Sequence, residues 1–146
     1  MRSLLAQLVG ASTGPTVADM EAGLENFSRG TPRHVDSLLV VMEPYFRALE
    51  TGARAAELGR ELGIPRVEAI VNKARTAEDE TAVREFCGAR GIPIAGWVPF
   101  DESVLNAERA GKGLLDYAPE SAAVAAVSVI AEAVLAQHRV LDRGEA

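Results

Sequence analysis

Ser37-Leu38-Leu39-Val40-Val41-Met42 is apolar at every position after its opening serine. An unbroken run of this kind predicts a strand covered on both faces, which is the situation of strands in parallel sheets. Glu43-Pro44 ends it. Downstream, Phe46, Leu49, Ala53, Ala56 and Leu58 recur at helical intervals between Tyr45 and Leu62, and Gly63 supplies the stop. A second apolar strand, Val67 to Val71, delivers Asn72-Lys73 at its C-terminal end. Glu78 to Ala89 is amphipathic through Val83 and Phe86. Ile92 to Val98 reads as a further strand whose Pro93 suits an edge or near-edge place. Asp101 opens a helix to Ala110 as its cap, Gly111 to Ala118 is a loop, and Pro119 to about His138 is a last helix.

Upstream of the deciding run, Leu4, Leu5, Leu8 and Val9 form one helical face that ends at Gly10. The breaker-rich Gly10 to Pro15 leads into a short predicted strand, Thr16-Val17-Ala18, closed by Asp19. An irregular stretch, Met20 to Gly30, precedes a helical turn that Thr31 can cap with Pro32 in the first position. Strands alternating with helices predict an α/β, three-layer sandwich with a mostly parallel sheet, read as one domain over residues 1–146. In such sheets ligands bind beyond the C-terminal strand ends. Those ends are Asp19, Glu43-Pro44, Asn72-Lys73 and Pro99-Phe100-Asp101, so polar residues collect where a ligand would sit.

Bulk properties narrow the function classes. The 146 residues carry a net charge of -6, with the basic residues dispersed, which argues against a nucleic-acid partner. No apolar stretch is long enough for a membrane span and no targeting segment is evident, so a cytoplasmic location is expected. Cys87 is the single cysteine, which excludes an intrachain disulfide and points to a core-facing helix position.

Two readings are open for each polar strand end. Asp19 can hold a magnesium-bound water beside a nucleotide, or simply cap the next turn. Gly23, four residues on, can offer a backbone N–H to a terminal phosphate. The Asn72 amide can donate to and accept from an adenine edge in one plane, or turn the chain after its strand. Lys73 and Arg75 beside it read as solvated. Pro99 and Phe100 can border the same base, and Asp101 is equally a helix cap. His34 and His138 lie 104 positions apart with no ligand set around either. Nothing matches Gly-x-x-x-x-Gly-Lys-Ser/Thr, and Gly10-Ala-Ser-Thr-Gly14 has no lysine and follows a helix instead of a strand. Phosphoryl transfer needs that cationic, N–H-rich cradle.

Asp19-Met-Glu-Ala-Gly23-Leu-Glu25-Asn-Phe-Ser-Arg29-Gly30-Thr31 resembles the hallmark of the MinD/ParA-like ATPases, and within them of the CooC-like accessory ATPases that mature nickel carbon monoxide dehydrogenase; Asn26 stands where histidine is usual. Val40 to Pro44, Asn72-Lys73, Val98-Pro99-Phe100-Asp101, Glu108, Gly111 and Asp116 to Pro119 continue the likeness, which covers roughly residues 3 to 136 and only the latter part of the family. The resemblance implies a P-loop NTPase fold of MinD type lacking its N-terminal P-loop strand and helix. It assigns Asp19 and Gly23 to the switch and magnesium side of the site, and Asn72, Lys73, Pro99, Phe100 and Asp101 to the adenine side. ATP and magnesium are then expected only in a composite site, and the family's Cys-x-Cys pair has no counterpart here. In that fold the phosphate-loop strand lies between the strand ending at Asp19 and Ser37–Met42. Its absence would leave both without a neighbour. The partners implied are a protein carrying the N-terminal half or a second copy, and a metalloenzyme client such as carbon monoxide dehydrogenase. A noncatalytic module that engages an intact relative, or a remnant without activity, are the alternatives.

Overall fold

In the computed structural model, residues 14–20 and 35–144 are described, with side chains as far as Ala136. The deciding run forms strand β1 (Ser37–Met42), followed by helix α1 (Phe46–Glu61), β2 (Arg66–Ala74), α2 (Ala77–Ala89), β3 (Ile94–Pro99), α3 (Glu102–Arg109), a one-turn α4 (Leu114–Tyr117) and α5 (Ala122–Gly144). The three strands pair in parallel in the order β1-β2-β3.

β2 is the strand with a neighbour on each edge, and its alternate residues Val67, Ala69 and Val71 are buried. Val40 and Met42 of β1 share that face. Leu49 and Ala56 of α1 and Val83 and Cys87 of α2 close over it to make the core. Each buried valine, leucine or methionine of this set contributes roughly 1.5–3 kcal/mol. Helix α1 presents Leu49, Gly52, Ala56 and Gly59 to the sheet at helical spacing, and Gly63, at φ +76°, ends it in the left-handed conformation that glycine alone takes without cost. Helix α2 starts from a capping box in which Thr76 accepts from the Asp79 N–H while the Asp79 carboxylate accepts from the Thr76 N–H. The segment that ends α2 is laced to α1 by Arg60 donating to the Gly91 carbonyl at 2.7 Å and by Arg90 to Glu50 at 2.7 Å. Burial pushes the Cys87 thiol up, so this cysteine is a packing residue at neutral pH.

The opposite face of β3 is covered by α5. Ile130 of that helix lies directly on Gly96, and a Cβ there would overlap the isoleucine side chain. The result is helix, sheet, helix, as the alternation of elements predicts. Three expectations are corrected. Residues 16–18 form no strand: they are irregular, and Val17 is 94% exposed. An apolar tripeptide with no adjacent strand has no ladder to join, and β1 is the edge of the described sheet for the same reason. The expected loop at 111–118 contains α4. The last helix begins at Ala122 and not at Pro119, because residues 118–121 turn, with the Ser121 N–H on the Ala118 carbonyl at 3.1 Å. The expectations placed on residues 1–13 and 21–34, including the first helix and the Thr31 cap, fall outside the described residues.

Gly96→Ala is expected to lower unfolding free energy by about 1–3 kcal/mol in urea titration, since overpacking must displace Ile130 or the strand. Combining it with Ile130→Ala, relative to Ile130→Ala alone, should remove most of that penalty.

Candidate functional site at the strand ends

A break in the β2–β3 ladder shapes the crevice. Asn72 pairs with Val98, but the next pair is Ala74 with Pro99. Strand β2 therefore spends one extra residue, Lys73, as a bulge, and Lys73 sits at φ +61°. A lysine in the left-handed region carries a backbone cost of about 1 kcal/mol or more. Its side chain reaches across to β1 and donates to Glu43 Oε1 at 2.7 Å. That hydrogen bond and the carboxylate's charge raise the lysine pKa above its ordinary value, so it is cationic at physiological pH. Both partners are substantially exposed, and the pair is worth at most about 1 kcal/mol.

Beyond the bulge the two strands are pinned again. The Phe100 N–H donates to the Ala74 carbonyl at 3.0 Å. The Arg75 N–H donates to Asp79 at 3.0 Å, and the Arg75 guanidinium lies 3.5 Å from the centre of the Phe100 ring. Asp101 is the N-cap of α3: Oδ1 accepts from the Ser103 N–H at 2.8 Å, and Oδ2 accepts from the Ala123 N–H in the first turn of α5 at 3.1 Å. These donors, Ala123 first and Ser103 second, hold its carboxyl below the usual range.

Asn72, Lys73, Pro99, Phe100 and Asp101 are thus gathered at one end of adjacent strands. Within that group Lys73 is occupied by Glu43 and Asp101 by two helix starts, so Asn72, Pro99 and the Phe100–Arg75 stack remain to meet a ligand. Lys73 and Arg75 are both exposed, as their reading as solvated residues expects, and each also has a partner, Glu43 for Lys73 and the Phe100 ring for Arg75. Glu43 as a lysine partner could be inferred from two opposite charges at neighbouring strand ends, whereas the bulge has no residue-type signal, lysine being unfavourable at that φ. Asp19 is exposed at the end of the irregular 14–20 segment, outside the sheet. Gly23 lies outside the described residues. Among the described residues no group of three metal-ligating side chains occurs, and no helix is long and apolar enough to cross a membrane.

The chain folds as a parallel α/β domain with a crevice at its strand ends, and comparison with known proteins gives the family. No family model matches the chain. An uncharacterised ATP-binding protein of Methanocaldococcus jannaschii is 38% identical over 112 residues, which is 77% of this chain and 44% of that protein. The carbon monoxide dehydrogenase accessory protein CooC of Rhodospirillum rubrum is 35% identical over 119 residues, 82% of this chain and 44% of CooC. Among solved structures, the MinD cell division protein of Aquifex aeolicus superposes with a TM-score of 0.60 at 17% identity, covering 73% of this chain and 46% of that one. A ParA family ATPase from Chlorobium tepidum gives 0.56 at 25% identity, covering 71% and 43%. These residues therefore form part of a MinD/ParA-like ATPase domain related to CooC. The chain spans about 44% of the length of these two curated relatives, a share that fits their latter half.

Two measurements check the local geometry. Lys73→Gly and Lys73→Ala both lose the ion pair, but only alanine keeps a Cβ at positive φ. Denaturation should find the glycine variant at least as stable, by up to about 1 kcal/mol, where a regular strand position would give the reverse order. Asp101 has a depressed folded pKa, so its stabilisation is complete above the unfolded value of about 3.9 and is lost as pH falls through the folded value. The stability gap between wild type and Asp101→Ala should accordingly be full at pH 6 and shrink progressively in urea titrations below pH 4.

Proposed function

We propose that this chain supplies the base-binding part of the ATP site of a MinD/ParA-like ATPase related to carbon monoxide dehydrogenase maturation factors, and that its 146 residues act as one unit that does not hydrolyse ATP unaided. The observation that carries the reading is the convergence of Asn72, Pro99 and Phe100 at the C-terminal ends of β2 and β3, where open parallel sheets take their ligands. The chemistry suits adenine: a planar amide to pair with the base edge, a proline backbone and an aromatic ring beside it.

The triphosphate tail is a different matter. Lys73 is paired with Glu43 and Arg75 is stacked on Phe100, which leaves at most one cation beside Asn72, Pro99 and Phe100, and no phosphate-loop sequence occurs. The residues present do not fit the charged tail, so no transfer step is assigned to them. Asp19 and Gly23 are proposed for the magnesium and terminal-phosphate side of a composite site, completed by a segment that carries the phosphate loop. Among the described residues β1 has a strand partner only on its β2 edge, and Val41 is 61% exposed on the sheet face away from α1, which supports a further neighbour for β1 beyond these residues. The same open face supports a second reading, a noncatalytic module that docks on an intact ATPase. By likeness to CooC the client is a metalloenzyme receiving nickel, the setting cytoplasmic.

Calorimetry on the purified chain should give Mg-ATP an affinity no tighter than that of adenosine, because the added phosphates find no cradle. A dissociation constant for Mg-ATP of micromolar order or below, or ATP turnover by the chain alone that is lost in Asp19→Ala, overturns the proposal.

A further inference from the structure

The stacked pair Arg75–Phe100 has a place and a construction that surface cation–π contacts do not need. Two other arginines lie over rings, Arg84 over Trp97 at 4.6 Å and Arg90 over Phe86 at 3.7 Å. Both of those arginines belong to α2 or its C-cap, away from the strand ends. Arg75 instead leaves β2 immediately after the bulge. Without the extra residue Lys73 would pair with Pro99, Ala74 would fall beside Phe100, and Arg75 would lie one position further along. The strained left-handed residue is therefore what sets Arg75 against Phe100. Strain of this kind persists where surrounding structure over-determines it, and bulges next to binding sites re-aim a side chain.

Both backbones of the stack are held, Arg75 by Asp79 and Phe100 by Ala74. The guanidinium is planar and weakly hydrated, so it can stack on both faces. One face lies on the ring at 3.5 Å, and Arg75 is exposed. We propose that Arg75 is a base-binding residue: its open face receives the purine, forming a ring–guanidinium–base stack whose edge Asn72 reads. This rests on the adenine-site reading above and adds to it the residue that recognises the π-face. Because the stack forms without ligand, little further side-chain ordering is needed on binding. Discrimination then follows ring area, favouring adenosine over cytidine, and does not depend on phosphate.

The test uses the full chain, with adenosine, cytidine and ribose 5-phosphate as probes, followed by nuclear magnetic resonance titration of the arginine Nε–H signals. Adenosine should shift the Arg75 Nε–H. Arg75→Ala and Arg75→Lys should each weaken adenosine about fivefold to tenfold, the lysine failing because it keeps the charge and loses the plane. Arg84→Ala should change nothing, and the melting temperatures of the Arg75 variants should stay near wild type. If adenosine binds, Asn72→Ala abolishes it and Arg75→Ala leaves it intact, the inference falls and the adenine-site reading stands. If ribose 5-phosphate binds as well as adenosine, or if wild type binds no adenosine at millimolar concentration, the adenine-site reading itself falls.

Discussion

Everything in this structure hangs on β2 being paired along both edges. Its backbone donors and acceptors are satisfied by β1 on one side and β3 on the other, and that double pairing lets Val67, Ala69 and Val71 be buried without stranding polar groups. Helices α1 and α2 pack onto the surface so created, and α5 reaches β3 only because Gly96 leaves room for Ile130. The β1–β2 ladder is regular throughout, whereas the β2–β3 ladder departs from regularity between Ala69 and Ile70 and again at Lys73. The second departure lies where the strands run out toward solvent, so a local backbone penalty is borne by a scaffold already secured below it.

The strand ends divide their polar residues between architecture and recognition. Lys73 and Glu43 join β2 to β1, and Asp101 joins β3 to two helices. What remains open to a ligand is mostly flat: an amide, a proline, and an aromatic ring with one guanidinium stacked on it. Such a set suits a heterocycle and is ill suited to a polyanion, which needs several uncommitted cations and convergent N–H groups. Relatives that this chain matches over less than half their length have room for both functions in one polypeptide.

Much of this was legible in the residues. Ser37 to Met42 announced a parallel strand because a short run apolar on both faces needs cover on both, and Asp101 announced a helix start because capping is a local interaction. The grouping of Asn72 with Pro99 and Phe100 followed from parallel topology. The failures were of a different kind. Thr16-Val17-Ala18 has strand-forming residues, but a strand is a property of a pair, and no local signal reports a missing partner. The Lys73 bulge contradicts lysine's own backbone preference and is imposed by tertiary pairing. Arg75 is exposed as expected, but its stack on Phe100 was not legible because the ring follows the neighbouring strand.

The double duty of Asp101 has a mechanical side. Its carboxylate bonds the first turns of α3 and α5 at once, and α5, with 23 residues, is about 34 Å long. The peptide that carries Phe100 is thereby tied to the roots of two helices, and α5 is fastened a second time where Ile130 sits on Gly96, so one acid and one glycine fix the longest helix to the strand beside the crevice.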